Sequence, residues 1–151
     1  MQVPFLDLQA AYAELKPELD EAYSRVMSSG HYIMGQETAS FEAEFAGYCG
    51  AAYCIGVGNG LDALHLILRG YGIGPDDEVI VPANTYIATW LAVSYCGAKV
   101  VPVEPNSQTY NIDPQQVINA ITEKTKAIIA VHLYGQPAEM EALSNLSLIH
   151  I

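Results

Sequence analysis

Three glycines stand within five positions in GVGNG, residues 56–60, and a helix-like apolar pattern follows at once in LDALHLIL. Glycines at 58 and 60 let a backbone turn tightly and approach an anion. A helix beginning near Leu61 aims its free N–H groups and the positive end of its dipole at that anion. Residues 58–63 also satisfy the dinucleotide pattern G-x-G-x-x-G/A. That pattern calls for an Asp or Glu about 20 residues on, at the end of the next strand, to hold a ribose. Here the next strand runs out in Val81-Pro82-Ala83-Asn84 without an acid, and no Gly-Lys-Ser/Thr follows the loop. A nicotinamide-dependent oxidoreductase, NAD(P) on a Rossmann sheet, is the weaker reading. A phosphate held by backbone amides is the one retained, against the alternative that the glycines only close a strand-to-helix turn. Asp62, in the first helical turn, suits the dipole but repels a phosphate. It must point away, or the anion must sit above Asn59 and Gly60.

The elements that would position such a loop alternate along the chain. Residues 51–58, AAYCIGVG, read as a buried strand, and 60–72 as a helix carrying Leu61, Leu64, Ile67 and Leu68. A Gly-Pro-Asp turn feeds a strand at 78–81, an apolar helix covers 84–98, and a strand follows at 99–105. Residues 111–122 form a helix with Asp113 as N-cap and Pro114 in the first helical position. A strand at 126–135 and a helix opening at PAEMEAL complete the series. Upstream, Leu15, Leu19, Ala22, Tyr23 and Val26 recur at helical spacing up to Ser28-Ser29-Gly30, although Pro17 argues against this helix unless it lies in the first turn. A second helix at 37–50 carries Phe41, Phe45 and Tyr48 on one face.

Alternating strands and helices predict an α/β fold with a mostly parallel sheet flanked by helices. The near-continuous apolar strands predict helices on both faces. Ligands in such sheets bind beyond the carboxyl ends of the strands: here Gly58-Asn59-Gly60, 82–86, Glu104-Pro105 and 132–135. His132 and Tyr134, at a strand end, either line the site or form a hydrogen-bonded structural pair, the structural reading being preferred for His132; His31 reads as a loop residue, His65 as a helix-surface residue, and Trp90 and Tyr95 as core.

Composition bounds the ligand. The chain has 151 residues, 51% of them hydrophobic, with a net charge of −11 and only 6 Lys+Arg. It can bury a core, and it lacks the clustered cations that nucleic acid or an anionic membrane requires. A small anion bound by amides is still compatible. Cys49, Cys54 and Cys96 form neither C-x-x-C nor an even set, and nothing at the start reads as a secretory leader, so a reduced cytoplasmic setting is expected. No metal-ligand pattern is seen.

Several segments together resemble the DegT/DnrJ/StrS family of sugar aminotransferases: SGHYIMGQETASFEAEFAGYCG, GVGNGLDALHLIL, GPDDEVIVPANTYIATWLAV, GAKVVPVEP and YNIDPQQVINAITEKTKAIIAVHLYGQPAEM. The resemblance runs in order from about Val3 to about Leu143. The wording VGNGLDALHLIL and NTYIATWLAVSY is most similar to members making 3-amino-3,6-dideoxyhexoses on a thymidine diphosphate carrier. The resemblance implies a fold-type-I large domain and pyridoxal 5'-phosphate as coenzyme. It also implies a nucleotide-sugar substrate, an amino-acid donor such as glutamate, and a homodimer with its site at the interface. Carried over by position, it implies that the amides of Asn59, Gly60 and Leu61 hold the coenzyme phosphate. The family often has a hydroxyl residue where Leu61 stands, and that contact is lost here. It implies that Tyr86 stacks on the pyridine ring, the alternative being a core tyrosine at a helix start. Tyr32 and Gly35 match a loop near the family's active site and are expected on the substrate side.

The family's Schiff-base lysine and pyridinium aspartate have no counterpart here, so no catalytic residue is assigned and aminotransferase cannot be separated from dehydratase. The expected organisation is a helical arm and active-site loop at 1–50, a partial coenzyme-binding domain at 51–143, and a tail, 144–151, that departs from the family pattern. A non-catalytic fragment or binding module is the remaining alternative.

Overall fold

A computed structural model describes residues 4–148. The chain divides into two units, Met1–Gly56 and Val57–Ile151.

The first unit holds α1 (Leu8–Ser29) and α2 (Gln36–Cys49). Asp7 caps α1, its carboxylate accepting from the amides of Gln9 and Ala10 at 3.0 and 3.3 Å, and Gly30 ends it in the left-handed conformation at φ 70°. Pro17 lies well inside this helix rather than in its first turn. The helix continues through the amide that proline cannot supply, with Lys16 bonded to both Asp20 and Tyr12 alongside. Arg25 forks onto Glu37, its Nε and Nη2 donating at 2.6 and 3.1 Å, and so joins α1 to α2. Phe41 and Phe45 do share a face, their rings stacked at 5.4 Å, yet both rings and Tyr48 are exposed.

The second unit is built on three parallel strands, β1 (Glu78–Pro82), β2 (Lys99–Val103) and β3 (Thr125–Ile128), in the order β2-β1-β3. Every residue of the central strand is buried. Its side chains alternate between faces. Val79 and Val81 enter a cluster with Leu68 of α3 (Gly60–Gly70) and Ala92 and Val93 of α4 (Ala88–Tyr95). Ile80 enters a second cluster with Val117 of α5 (Pro114–Ala120) and Leu143 of α6 (Met140–Leu148). Helices therefore cover both faces, which is why β1 can be apolar at successive positions. Asp113 caps α5, accepting from Gln115 N at 2.8 Å, with Pro114 at its start.

The sheet is pinned at its amino end by one charged residue. Glu78 pairs in register with Lys99 and Thr125, accepts from Lys99 Nζ at 2.8 Å and from Thr122 Oγ1 at 2.7 Å, and is nearly buried. Those two bonds hold its carboxyl below the usual range. Burial pushes the Cys96 thiol up.

Three expectations are corrected. Residues 51–58 form no strand: Tyr53 and Ile55 are 86% and 79% exposed rather than buried. An apolar run becomes a strand only with a ladder partner, and none of β1–β3 pairs with it. The strand expected over 126–135 closes at Ile128, and residues Leu133–Gly135 turn as a short 3-10 segment. Tyr95, expected in the core, is exposed and meets the half-buried His65 ring edge-on at 5.8 Å. Of the tail at 144–151, residues 144–148 close α6, and 149–151 lie outside the described residues.

Candidate active site

Asn59, Gly60 and Leu61 sit where the chain enters α3. Asn59 is the N-cap and forms a closed pair with Asp62. Its Oδ1 accepts from Asp62 N at 2.9 Å, and its Nδ2 donates to Asp62 Oδ2 at 3.0 Å. This answers the repulsion expected of Asp62: its carboxylate is tied back to the cap. Gly58 permits this, since a Cβ there would lie 2.6 Å from Asp62 Oδ2. The cap uses the Asp62 amide, while Gly60 and Leu61, the first two helical residues, have no intrahelical acceptor for theirs. A Cβ on Gly60 would meet nothing within 4 Å, so the space beside this residue is open. A phosphate fits this end of the helix: unpaired amide donors, a positive dipole end, a restrained carboxylate and free space.

Tyr86 follows the carboxyl end of β1. Its carbonyl accepts from Thr89 N at 3.1 Å in the turn leading into α4, and Thr85 and Thr89 hydroxyls pair at 2.9 Å. Trp90 anchors the segment, its indole N–H donating to the Pro82 carbonyl at 3.2 Å while its ring packs on the core. The Tyr86 side chain is 79% exposed, so it is not a core tyrosine. Leu61 and Trp90 pack against the same buried cluster, which brings the start of α3 and the segment leading from Tyr86 to one face of the sheet.

Tyr32 and Gly35 occupy the loop between α1 and α2. Tyr32 is exposed. Gly35 is the N-cap of α2, and a Cβ there would lie 2.9 Å from the His31 carbonyl oxygen, a contact only glycine avoids.

Beyond the end of β3, His132 Nδ1 accepts from Ala138 N at 3.0 Å, the structural role expected of it, although its partner is not Tyr134. Tyr134 instead meets Tyr110. The sequence reading missed Asn84, Tyr110 and Asn111. Asn111 is 2% exposed, and nothing in the spacing of YNIDP marks it out, since its partners lie more than 20 residues along the chain.

Lys99, Lys124 and Lys126 lie at the amino end of the sheet, beside Glu78. The length of β1, on the order of 13 Å, separates that end from Pro82 and the Tyr86 segment. Lys16 is engaged with Asp20. A cleft of about 400 Å³ beside β3 and α6, lined by residues such as Ile121, Thr125, Met140 and Leu143, also sits toward that opposite end and has none of the site's donors.

A family model described as the DegT/DnrJ/EryC1/StrS aminotransferase family matches residues 13–150. The chain belongs to this family. It is 58% identical over 146 residues to the dTDP-3-amino-3,4,6-trideoxy-alpha-D-glucose transaminase of Streptomyces venezuelae, covering 97% of this chain and 38% of that protein. The crystal structure of S. venezuelae DesV in complex with a ketimine intermediate superposes with a TM-score of 0.95 at 57% identity, over 99% of this chain and 40% of DesV. NtdA of Bacillus subtilis, solved with bound cofactor PMP, gives a TM-score of 0.93 at 33% identity, over 99% of this chain and 34% of NtdA. The chain thus spans between a third and two fifths of the length of these relatives. Pyridoxal phosphate is the coenzyme of this aminotransferase family, and the amides at the start of α3 fit its anionic group.

Proposed function

We propose that the chain is the N-terminal, coenzyme-holding portion of a nucleotide-sugar aminotransferase. The whole enzyme carries an amino group from glutamate to the 3-keto carbon of a thymidine-diphosphate-linked 6-deoxyhexose. The observation that carries this reading is the exposed Tyr86, in the segment that shares one face of the sheet with the amide-lined start of α3, in a chain whose relative at 58% identity is a dTDP-3-amino-sugar transaminase.

Pyridoxal phosphate, when bound, supplies an electron sink for the carbon that gains or loses the amino group. The chain's own residues bind and orient. The amides of Asn59, Gly60 and Leu61 receive the phosphate without a cation, which suits a protein of charge −11. Leu61 offers no hydroxyl there, so the backbone does the binding. The Tyr86 ring fixes the plane of the heterocycle by stacking. Tyr32 and Gly35 are assigned to substrate binding by their match to the family's loop. The Schiff-base lysine and the carboxylate that keeps the pyridinium nitrogen protonated come from outside these residues, because each lysine described above is committed elsewhere or stands at the wrong end of the sheet. The chain by itself therefore holds coenzyme and makes no amino sugar. The active species is a homodimer. Residues 1–50 act as its arm and active-site loop and 51–143 as part of its large domain; 144–151 depart from the family pattern.

The test joins residues 1–143 to the remaining portion of the S. venezuelae relative. Supplied with pyridoxal phosphate, glutamate and the thymidine-diphospho-3-ketosugar, this chimera yields amino sugar by mass, and Tyr86→Ala weakens coenzyme binding about tenfold. A folded chimera that binds coenzyme but gives no amino sugar refutes the substrate. One whose coenzyme affinity ignores Tyr86 refutes the site.

A further inference from the structure

Two tyrosines that play no part in holding the coenzyme stand in the left-handed region, Tyr110 at φ 59° and Tyr134 at φ 54°. A bulky side chain persists there only where its surroundings impose it. Two asparagines impose it here. Asn84 Nδ2 donates to the Tyr110 carbonyl at 3.0 Å. Asn111, the next residue, donates from Nδ2 to the carbonyls of Gln136 and Pro137 at 2.9 and 3.2 Å, and its Oδ1 accepts from Leu133 N at 2.9 Å, gripping the chain on both sides of Tyr134. The two rings then meet edge to face, with centroids 6.1 Å apart and planes at 86°, and they remain 55% and 82% exposed. Core packing does not account for the arrangement: side-chain hydrogen bonds, exposed at Asn84 and part-buried at Asn111, hold two strained aromatic residues out at a right angle.

We propose that Tyr110 and Tyr134 form an aromatic corner that receives the hexose ring of the nucleotide sugar, with Asn84 and Asn111 as its positioning residues; this rests on the function proposed above. Asn84 tethers Tyr110 two residues from Tyr86, so the corner lies beside the ring that covers the coenzyme. The part of the substrate that must lie there is the sugar, which carries the reacting carbon, whereas the base stands off by two phosphates. The chemistry agrees. A 6-deoxyhexose presents C–H bonds and a methyl group, which aromatic faces accept.

The test uses the coenzyme-loaded chimera and two probes, thymidine-diphospho-6-deoxyglucose and thymidine diphosphate, with binding read by calorimetry. Tyr110→Ala and Tyr134→Ala each weaken the hexose-bearing probe about fivefold. Binding of thymidine diphosphate and the KM for glutamate stay within about twofold, and Tyr134→Phe binds as the parent does. Tyr134→Gly relieves the left-handed backbone, so it melts no lower than the parent while losing the same affinity. Equal losses for both probes assign the corner to the base and overturn the proposal. So do unchanged affinities, no binding of the hexose probe by the parent, or a Tyr134→Gly melting point several degrees lower. If the parent binds the hexose probe through these tyrosines yet aminates no ketosugar, the proposed function fails and the corner stands. If it aminates normally while both Ala variants bind as the parent does, the corner alone fails.

Discussion

Asn111 is the residue whose removal should disturb the second unit most for its size. Its carboxamide makes three hydrogen bonds to the segment after β3, which otherwise closes on itself through Gln136 N donating to the Leu133 carbonyl at 3.1 Å. In Asn111→Ala all three are lost. Each is worth about 1 kcal/mol net, and an unpaired buried group costs more than that. Gln136 and Pro137 are exposed and water can reach their carbonyls, whereas Leu133 is half-buried. The sum is about 3 kcal/mol, which for a unit of this size lowers the melting point by roughly 10–20 °C. Urea denaturation followed by circular dichroism measures it, and hydrogen exchange at the Leu133 amide locates it. Asn111→Asp sharpens the reasoning. It keeps the acceptor for Leu133 but sets a carboxylate oxygen against two carbonyls at neutral pH. The charged form is disfavoured in the folded state, so the folded pKa of the new acid lies above its unfolded value. The folded protein then binds the proton more tightly, and stability rises as pH falls from 7 toward 5. An Ala variant within 1 kcal/mol of the parent, or an Asp variant without that pH response, refutes the clamp.

Glu78 gives the opposite sign. Lys99 and Thr122 lower its folded pKa, so its stabilisation is present above the ordinary glutamate range, near pH 4.5, and is lost as pH falls through the depressed value. Glu78→Gln should flatten the acid limb of a melting-temperature profile while leaving the dependence above pH 6 unchanged. Asn59→Ala removes the cap of α3 at a cost of about 1 kcal/mol in urea denaturation. It also frees the Asp62 carboxylate, so pyridoxal phosphate affinity, read by absorbance in the chimera, should fall, and adding Asp62→Asn to the same variant should restore most of it. Gly97 has φ 77°, and a Cβ there would lie 3.3 Å from Pro75 Cγ. Gly97→Ala should cost about 1–2 kcal/mol by thermal denaturation.

The parts of the fold legible in the sequence were those set by local chemistry. Asp113-Pro114 marks a helix start wherever it stands, and Ser28-Ser29-Gly30 marks an end, since caps and left-handed glycines need only their neighbours. β1 was legible because an apolar run after a Gly-Pro-Asp turn has few other uses. Residues 51–58 were misread for a reason pattern cannot supply: β character depends on a partner strand elsewhere in the chain. Pro17 misled because propensity is a weak prior that a long helix can override. At the site, the amides of 59–61 and the position of Tyr86 follow from the glycine turn and the strand end. The asparagine clamps do not, because each side chain reaches a backbone more than 20 residues away, and no spacing rule encodes that. Nor does any pattern forecast a tyrosine held at positive φ.

The order β2-β1-β3 also bears on how the sheet is made. Of the three described strands, the earliest in the chain is the centre, the second takes one flank and the third takes the other. Each addition leaves earlier ladders intact, and no strand has to be threaded between two that are already joined. For these three strands synthesis and assembly can therefore run in the same direction, each later one joining at the rim.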